Sequence, residues 1–381
     1  MAIEVKIDSL LEHVNDLEDP RSTTNQKHPL VNVVVITICA SIAGATKYTQ
    51  VETFGKERRD WLETFLDLAN GIPSHDTIGR IFRLMNPESF TKLFHGWIEA
   101  VFGKVGPQVI AIDGKTARRS GDSHTGIGPL HMVSAWAADD NISLGQVKTA
   151  DKSNEITAIP LLLKQLDISE CTITIDAMGC QKKIAEAIIE QQGDYVLGLK
   201  ANQSELLEDA KALFEEVESA GGGFDDVREA RCKTKNKGHG RVETREVTVM
   251  EDLSLPARQK EWVGLRTFAR VVSTRTLKGK TSKETRYYAS SLPCRAKRMA
   301  MAIRQHWSIE NSLHWCLDIA FREDESVTRK GHGPENLAIL KRLTHSLLKN
   351  ETTHKQGIEG KRFRAAISPE YMLKVLCAPR S

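Results

Sequence analysis

Three carboxylates stand out by their place in the chain. Glu310 lies in the stretch Arg304-Gln-His-Trp-Ser-Ile-Glu310-Asn-Ser-Leu-His314-Trp-Cys-Leu-Asp318, which has no Gly or Pro and predicts a helix from Ala296 to Phe321. Met299, Ile303, Leu313 and Leu317 recur at the three- and four-residue steps of one helical face, and that spacing puts Glu310 among them. A carboxylate facing a core costs several kcal/mol unless it is paired or holds a cation. Asp113 closes the apolar run Val109-Ile-Ala-Ile112, and Asp176 closes Thr172-Ile-Thr-Ile175. One Asp at a strand end is usually a turn former or helix cap. Two on neighbouring strands, with a glutamate from a later helix, make a cluster of hard oxygen ligands suited to Mg²⁺ or Mn²⁺. Two such ions about 4 Å apart activate a water or a 3′-hydroxyl and stabilise the leaving oxygen of an in-line phosphoryl displacement. Without cations, carboxylates at that range would push one another's pKa up.

The surrounding pattern predicts how these residues are carried. Residues 1 to 102 read as helical: Ile7–Leu17, a buried helix over 30–44, Glu52–Ala69, and a helix opening at Ser74. Ser74 is a good N-cap. The Gly71–Arg83 segment, with Arg80 and Arg83 on one face, suits a helix-turn-helix-like DNA contact or a packing helix with surface arginines. From Gln108 the order becomes three strands, helix, strand, helix, strand, with Asp139-Asp140-Asn141 as a hairpin turn and Pro160 in the first turn of a helix. That order predicts one mixed sheet with helices on its faces, and Asp113 and Asp176 on adjacent strands. A helix over 205–219 and a Gly221-Gly222-Gly223 joint lead into β-rich sequence to Leu292, including a basic Gly-containing loop over 233–241. A polar loop over 322–334 and a helix over 335–348 follow.

Composition narrows the classes. The chain has 381 residues, 40% hydrophobic and 27% charged, with a net charge of +3. Its basic residues are uneven: 16 Lys/Arg stand against 7 Asp/Glu between Arg228 and Arg286, so the remainder is net acidic. Such a patch points to a polyanion or to a well-solvated β region. Seven scattered cysteines without C-x-x-C spacing fit reduced, mostly buried thiols. The most apolar stretch, 30–45, has sixteen residues, short of the roughly 20 needed to span a bilayer. The expectation is a cytoplasmic protein with no membrane partner.

Four motifs, taken in order, carry a resemblance. They are Val-Ile-Ala-Ile-Asp113-Gly-Lys-Thr, Asp151-Lys-Ser-Asn-Glu-Ile-Thr-Ala-Ile-Pro160, Thr-Ile-Asp176-Ala-Met-Gly-Cys-Gln and His306-Trp-Ser-Ile-Glu310-Asn-Ser-Leu-His-Trp. Together they resemble the H-repeat-associated insertion-sequence transposases of the DDE superfamily, over nearly the whole chain. The resemblance implies an α/β, RNase H-like mixed sheet with flanking helices, an N-terminal helical module and a β-rich insertion. It implies a transposase-associated helical domain over 1–102 and a catalytic domain over 105–350. A basic insertion over 221–292 interrupts the latter, and a basic tail over 351–381 follows it. Asp113, Asp176 and Glu310 become the catalytic, metal-binding triad for two Mg²⁺ or Mn²⁺ ions.

The sequence also departs from related cut-and-paste enzymes. They place Tyr, Arg and Lys seven before, four before and seven after the catalytic Glu, where this chain has Ile303, His306 and Leu317. Candidate DNA contacts are therefore Lys115, Arg118, Arg119, Lys200, Lys233, Lys235, Lys237, Arg241, Arg304 and His306. Asp318 and Glu323 are rival third carboxylates. His306 and His314 read as structural, and Trp307 and Trp315 as core residues ahead of base-stacking platforms. The expected activity is metal-dependent cleavage and strand transfer at element ends. The expected partners are terminal inverted repeats and target DNA, met by a homodimer in a synaptic complex at the nucleoid. A hydrolytic nuclease and a catalytically dead DNA-binding relic are the alternatives.

Overall fold

A computed structural model describes residues 2–22, 26–122, 126–149, 155–221, 226–238, 240–252 and 261–377. Gly222 and Gly223 of the expected joint, Asp151–Asn154 of the second motif, His239 of the basic segment and the last four residues of the tail lie outside them. The chain divides into two compact units: Met1–Val105, Gly114–Lys152 and Glu310–Ser381 form the first, and Gly106–Asp113 with Ser153–Ile309 the second.

The strands are β1 (Val109–Ala117), β2 (Leu130–Ala137), β3 (Ile142–Thr149), β4 (Thr172–Ile175), β5 (Asp194–Leu199), β6 (Val227–Gly238), β7 (Arg241–Asp252), β8 (Thr267–Leu277) and β9 (Lys280–Ser290). They are hydrogen-bonded in the order β3-β2-β1-β4-β5-β9-β8-β7-β6. This is the expected mixed sheet. β1, β4 and β5 run parallel, while β2–β3 and β5–β9–β8–β7–β6 are antiparallel. β1 does not stop at Asp113 as expected but continues to Ala117, and the division between the units falls along it.

In the second unit residues 109–112 of β1, all of β4 (Thr-Ile-Thr-Ile) and most of β5 are buried, as strands covered on both faces must be. Helix α7 (Glu155–Leu163) and helix α8 (Lys182–Glu190) belong to the crossovers. Pro160 sits inside α7 rather than in its first turn, because the helix already begins by Glu155. After α9 (Ser204–Ser219) come the four strands of the insertion. The expected basic loop over 233–241 is instead the end of the β6–β7 hairpin, paired as far as Gly238↔Arg241. Lys233, Lys235 and Lys237 alternate with Thr234 and Asn236, so the stretch carries the period-two pattern of a strand. Its lysines mask that pattern when read for charge. Helix α10 (Ala296–Ser308) packs on β4 and β5 and on β6 and β7.

In the first unit the N-terminal helices are α1 (Ala2–Asn15), α2 (Leu30–Ile42), α3 (Tyr48–Glu57), α4 (Arg59–Leu62), α5 (His75–Leu84) and α6 (Pro87–Phe102). The single helix expected over 52–69 is thus two short ones. The Ser74 cap holds, its Oγ accepting the Thr77 N–H. On α5, the Arg83 carbonyl accepts the His332 N–H, so part of the face offered for DNA is packed by the 331–333 segment. Helix α11 (Trp315–Ile319) and helix α12 (Gly333–Asn350) follow, and α12 packs against α2, α5, α6 and β3. The expected tail instead carries helices α13 (Ile358–Ile367) and α14 (Pro369–Leu376). All seven cysteines are free thiols, five of them buried. No helix among the described residues is long and apolar enough to cross a membrane.

Asn336, buried on α12, donates through Nδ2 to the carbonyls of Phe82 (2.8 Å) and Met85 (2.9 Å), satisfying the end of α5. Asn336→Ala leaves those carbonyls buried and unpaired. It is expected to lower the unfolding free energy by about 1–3 kcal/mol, read by urea denaturation.

Candidate metal centre

Asp113 and Asp176 both belong to the second unit. β1 and β4 are parallel and in register from Val109↔Thr172 to Ile112↔Ile175, and the next residue on each strand is Asp113 and Asp176. Strands in a sheet lie about 4.8 Å apart, so this register sets the two residues one strand spacing from each other. The Asp176 Oδ1 accepts the N–H groups of Met178 (2.9 Å) and Gly179 (3.4 Å). It is therefore a turn former as well, with one oxygen tied to the chain.

That turn is fastened from the segment after β5. Asn202 Nδ2 donates to the Ala177 carbonyl at 2.7 Å, and Gln203 Nε2 to the Cys180 carbonyl at 2.9 Å. The space is tight: a Cβ at Gly179 would come 2.3 Å from Ile175 Cγ2, so any larger residue there would displace the Ile175 side chain. Thr174, on the same strand face as Asp176, bonds through Oγ1 to His306 Nδ1 at 3.1 Å. The structure thus uses His306 to hold α10 on β4, while Arg304 on the same helix is exposed. Lys200 is exposed two residues before Asn202. Sequence reading missed Asn202, Gln203 and Thr174. Their role is to bond backbone or a distant helix, and no local pattern marks it.

Glu310 belongs to the first unit, and its setting differs from the one its spacing predicts. Residues Ile309–His314 form a π-helical turn between α10 and α11. The wider turn lets Ile309 and Leu313 take the buried positions, both fully covered. Glu310 is rotated outward, its side chain 52% exposed instead of buried. Such turns recur at functional sites, where they re-aim one side chain without ending the helix. The His314 imidazole, 6% exposed, lies 3.7 Å through Nδ1 from Glu310 Oε2. Trp307 and Trp315, expected in the core, are 39% and 61% exposed, and the Arg286 guanidinium lies 4.8 Å from the Trp307 ring centroid.

The rival carboxylates are engaged elsewhere. Asp318 Oδ1 pairs with Lys115 Nζ at 2.6 Å, and Asp324 lies 3.6 Å from the same ammonium. Lys115 is buried by these contacts, so the phosphate contact expected of it lacks an exposed cation. Arg118 pairs with Asp324 at 3.2 Å but stays 82% exposed, and Arg119 is exposed. Glu323 is buried against Arg342 at 2.9 Å. Burial raises its carboxyl, but Arg342, Lys341 and Lys115 outweigh that and hold it below the usual range.

Behind the π turn, His345 of α12 lies between Trp136 and Phe321. Burial, helped by Lys349, pushes its pKa down to about 3. The unfolded chain then takes up the proton first, so stability is complete above pH 6.5 and falls as pH drops toward 3. Between pH 7 and 5 the loss is roughly 2 kcal/mol. Urea midpoints at the two pH values should differ less in His345→Gln than in the wild type.

The family model described as Transposase DDE domain matches residues 104–347, and the DDE_Tnp_1-associated model matches residues 11–98. This chain belongs to the DDE transposase family. Asp113, Asp176 and Glu310 all fall within its DDE domain. YncI of Escherichia coli O157:H7, provisionally named a transposase, is 39% identical over 379 residues, covering 98% of this chain and 96% of YncI. YhhI of Escherichia coli K12, provisionally named an H repeat-associated transposase, is 37% identical over 98% of both chains. YbfQ of the same strain, named an inactive transposase, matches 77 residues at 38% identity, covering 20% of this chain and 92% of YbfQ. A solved piggyBac transposase synaptic complex with hairpin DNA aligns with 98% of this chain and 78% of its own at TM-score 0.42 and 12% identity, too distant to bear on the assignment.

Proposed function

We propose that this DDE transposase cleaves DNA at the ends of an insertion sequence and joins the freed 3′-hydroxyl to target DNA, as a homodimer acting at the nucleoid. The observation that carries the reading is the in-register emergence of Asp113 and Asp176 from adjacent parallel strands. A family member with these residues and an outward-turned Glu310 has the hard oxygen donors that Mg²⁺ or Mn²⁺ prefers. Asp113, Asp176 and Glu310 are the proposed ligands. Ions held by these residues would supply activation of the attacking oxygen and stabilisation of the leaving one. The Asn202 and Gln203 bonds keep the Asp176 turn in place, and the His306–Thr174 bond keeps α10 against the strand before it. Exposed Lys200, Arg304, Arg118 and Arg119, with Lys233, Lys235, Lys237 and Arg241 of the hairpin, are the proposed phosphate contacts, and their affinity falls with salt. The bared Trp315 indole offers a face for an unpaired base.

The test uses duplexes copied from inverted repeats flanking the gene, incubated with the full-length protein and Mg²⁺, Mn²⁺ or EDTA. Cleaved and strand-joined products that need the metal are expected. Cleavage without joining would mean a nuclease, and salt-sensitive binding without cleavage would mean a relic.

A further inference from the structure

We propose that His314 is a nitrogen ligand to the divalent ion held by Glu310, an inference that rests on reading Glu310 as a metal-binding carboxylate. Both residues belong to the π-helical turn Ile309–His314, at its second and last positions. Their ligand atoms lie within 4.8 Å of one another, and the nearest pair, His314 Nδ1 and Glu310 Oε2, is 3.7 Å apart. The two side chains differ in setting: the carboxylate is half-exposed and the imidazole almost covered. A ring held by packing loses little freedom on ligation, so a buried imidazole beneath an exposed carboxylate is a preorganised pair.

The assignment changes the expected metal preference. A triad of carboxylates alone treats Mg²⁺ and Mn²⁺ as similar hard ions, whereas an imidazole donor favours transition ions over Mg²⁺. The chain is therefore expected to bind Mn²⁺ more tightly than Mg²⁺, and His314→Gln to narrow that difference by weakening Mn²⁺ about ten- to hundredfold. Glu310→Gln should weaken both ions.

Pulsed electron paramagnetic resonance of Mn²⁺ bound to the full-length protein tests this without any catalytic assay. Wild type labelled with ¹⁵N-histidine should show a directly coordinated ¹⁵N in place of the ¹⁴N signal of unlabelled protein, and His314→Gln should bind Mn²⁺ more weakly without it. Mn²⁺ binding that needs Glu310 but shows no histidine nitrogen in wild type would overturn the inference and leave the carboxylate reading intact. The same holds if the nitrogen signal survives in His314→Gln. Binding that is absent, or indifferent to Glu310→Gln, would instead sink the carboxylate reading itself. The wild-type spectrum decides even if the buried substitution fails to fold.

Discussion

Glu310→Gln is expected to cut metal-dependent cleavage by about 10³-fold or more while leaving duplex binding within about twofold. The substitution keeps the size and hydrogen-bonding shape of the side chain and removes only its charge. A metal clamp contributes several kcal/mol to a phosphoryl displacement, and about 1.4 kcal/mol is tenfold in rate. Because the Glu310 side chain is turned outward by the π turn, the exchange leaves the core untouched. Asp113→Asn should behave alike. Asp176→Asn keeps the Oδ1 that accepts the Met178 and Gly179 amides, so its turn should survive and only the ligand charge be lost. Asp318→Asn is the informative contrast. Its carboxylate is paired with Lys115, so the variant should lose some stability and keep most of its cleavage. Single-turnover cleavage with and without Mg²⁺, beside a gel-shift titration, reads all four. Equal loss in Asp318→Asn and Glu310→Gln would mean that the third ligand has been misassigned.

The largest expected loss of stability comes from Arg342→Met. Arg342 is fully buried on α12, with Nη1 donating to Glu323 at 2.9 Å and to the Ala338 carbonyl at 3.1 Å, and Nε to Ser134 Oγ at 3.0 Å. Methionine fills much of the same volume but leaves the Glu323 carboxylate buried without its hydrogen-bonded partner, with Lys341 and Lys115 as the remaining cations. Breaking a buried pair from one side costs about 3–5 kcal/mol, while replacing both partners with apolar residues is often near neutral. Chemical denaturation should therefore place Glu323→Leu/Arg342→Met above Arg342→Met alone. A double variant less stable than the single would show that Lys341 depends on Glu323 as much as Arg342 does.

Much of this was legible in the chain because it rests on local pattern. Val109–Ile112 and Thr172–Ile175 are apolar runs that can only be covered strands, and each is followed by the Asp that its register sets beside the other. The Ser74 cap and the Asn141 turn follow from side-chain chemistry within a few residues. Glu310 shows where such reading stops. Periodicity assumes 3.6 residues per turn, and a π turn breaks that phase with no marker residue, so Glu310 faces outward where the spacing predicts an inward face. Lys115 was misread for another reason. Its partners Asp318 and Asp324 lie some 200 residues away, and a cation's exposure depends on what packs over it. Asn202 and Gln203 were hidden likewise, because the carbonyls they hold, those of Ala177 and Cys180, lie 25 and 23 residues earlier in the chain.

The lysines of β6 have a consequence apart from any ligand. β6 is the last strand of the sheet, twelve residues long, so its outer side is a row of backbone groups that another chain's edge could join. Native sheets guard such rims with charged side chains, lysine above all. Lys233, Lys235 and Lys237, exposed along the distal half of β6, make docking of a second rim a meeting of like charges. Exchanging all three for threonine should then promote concentration-dependent aggregation even in protein that folds normally. The benefit of these charges would in part be colloidal, and it would hold equally for a copy that has lost every trace of catalysis.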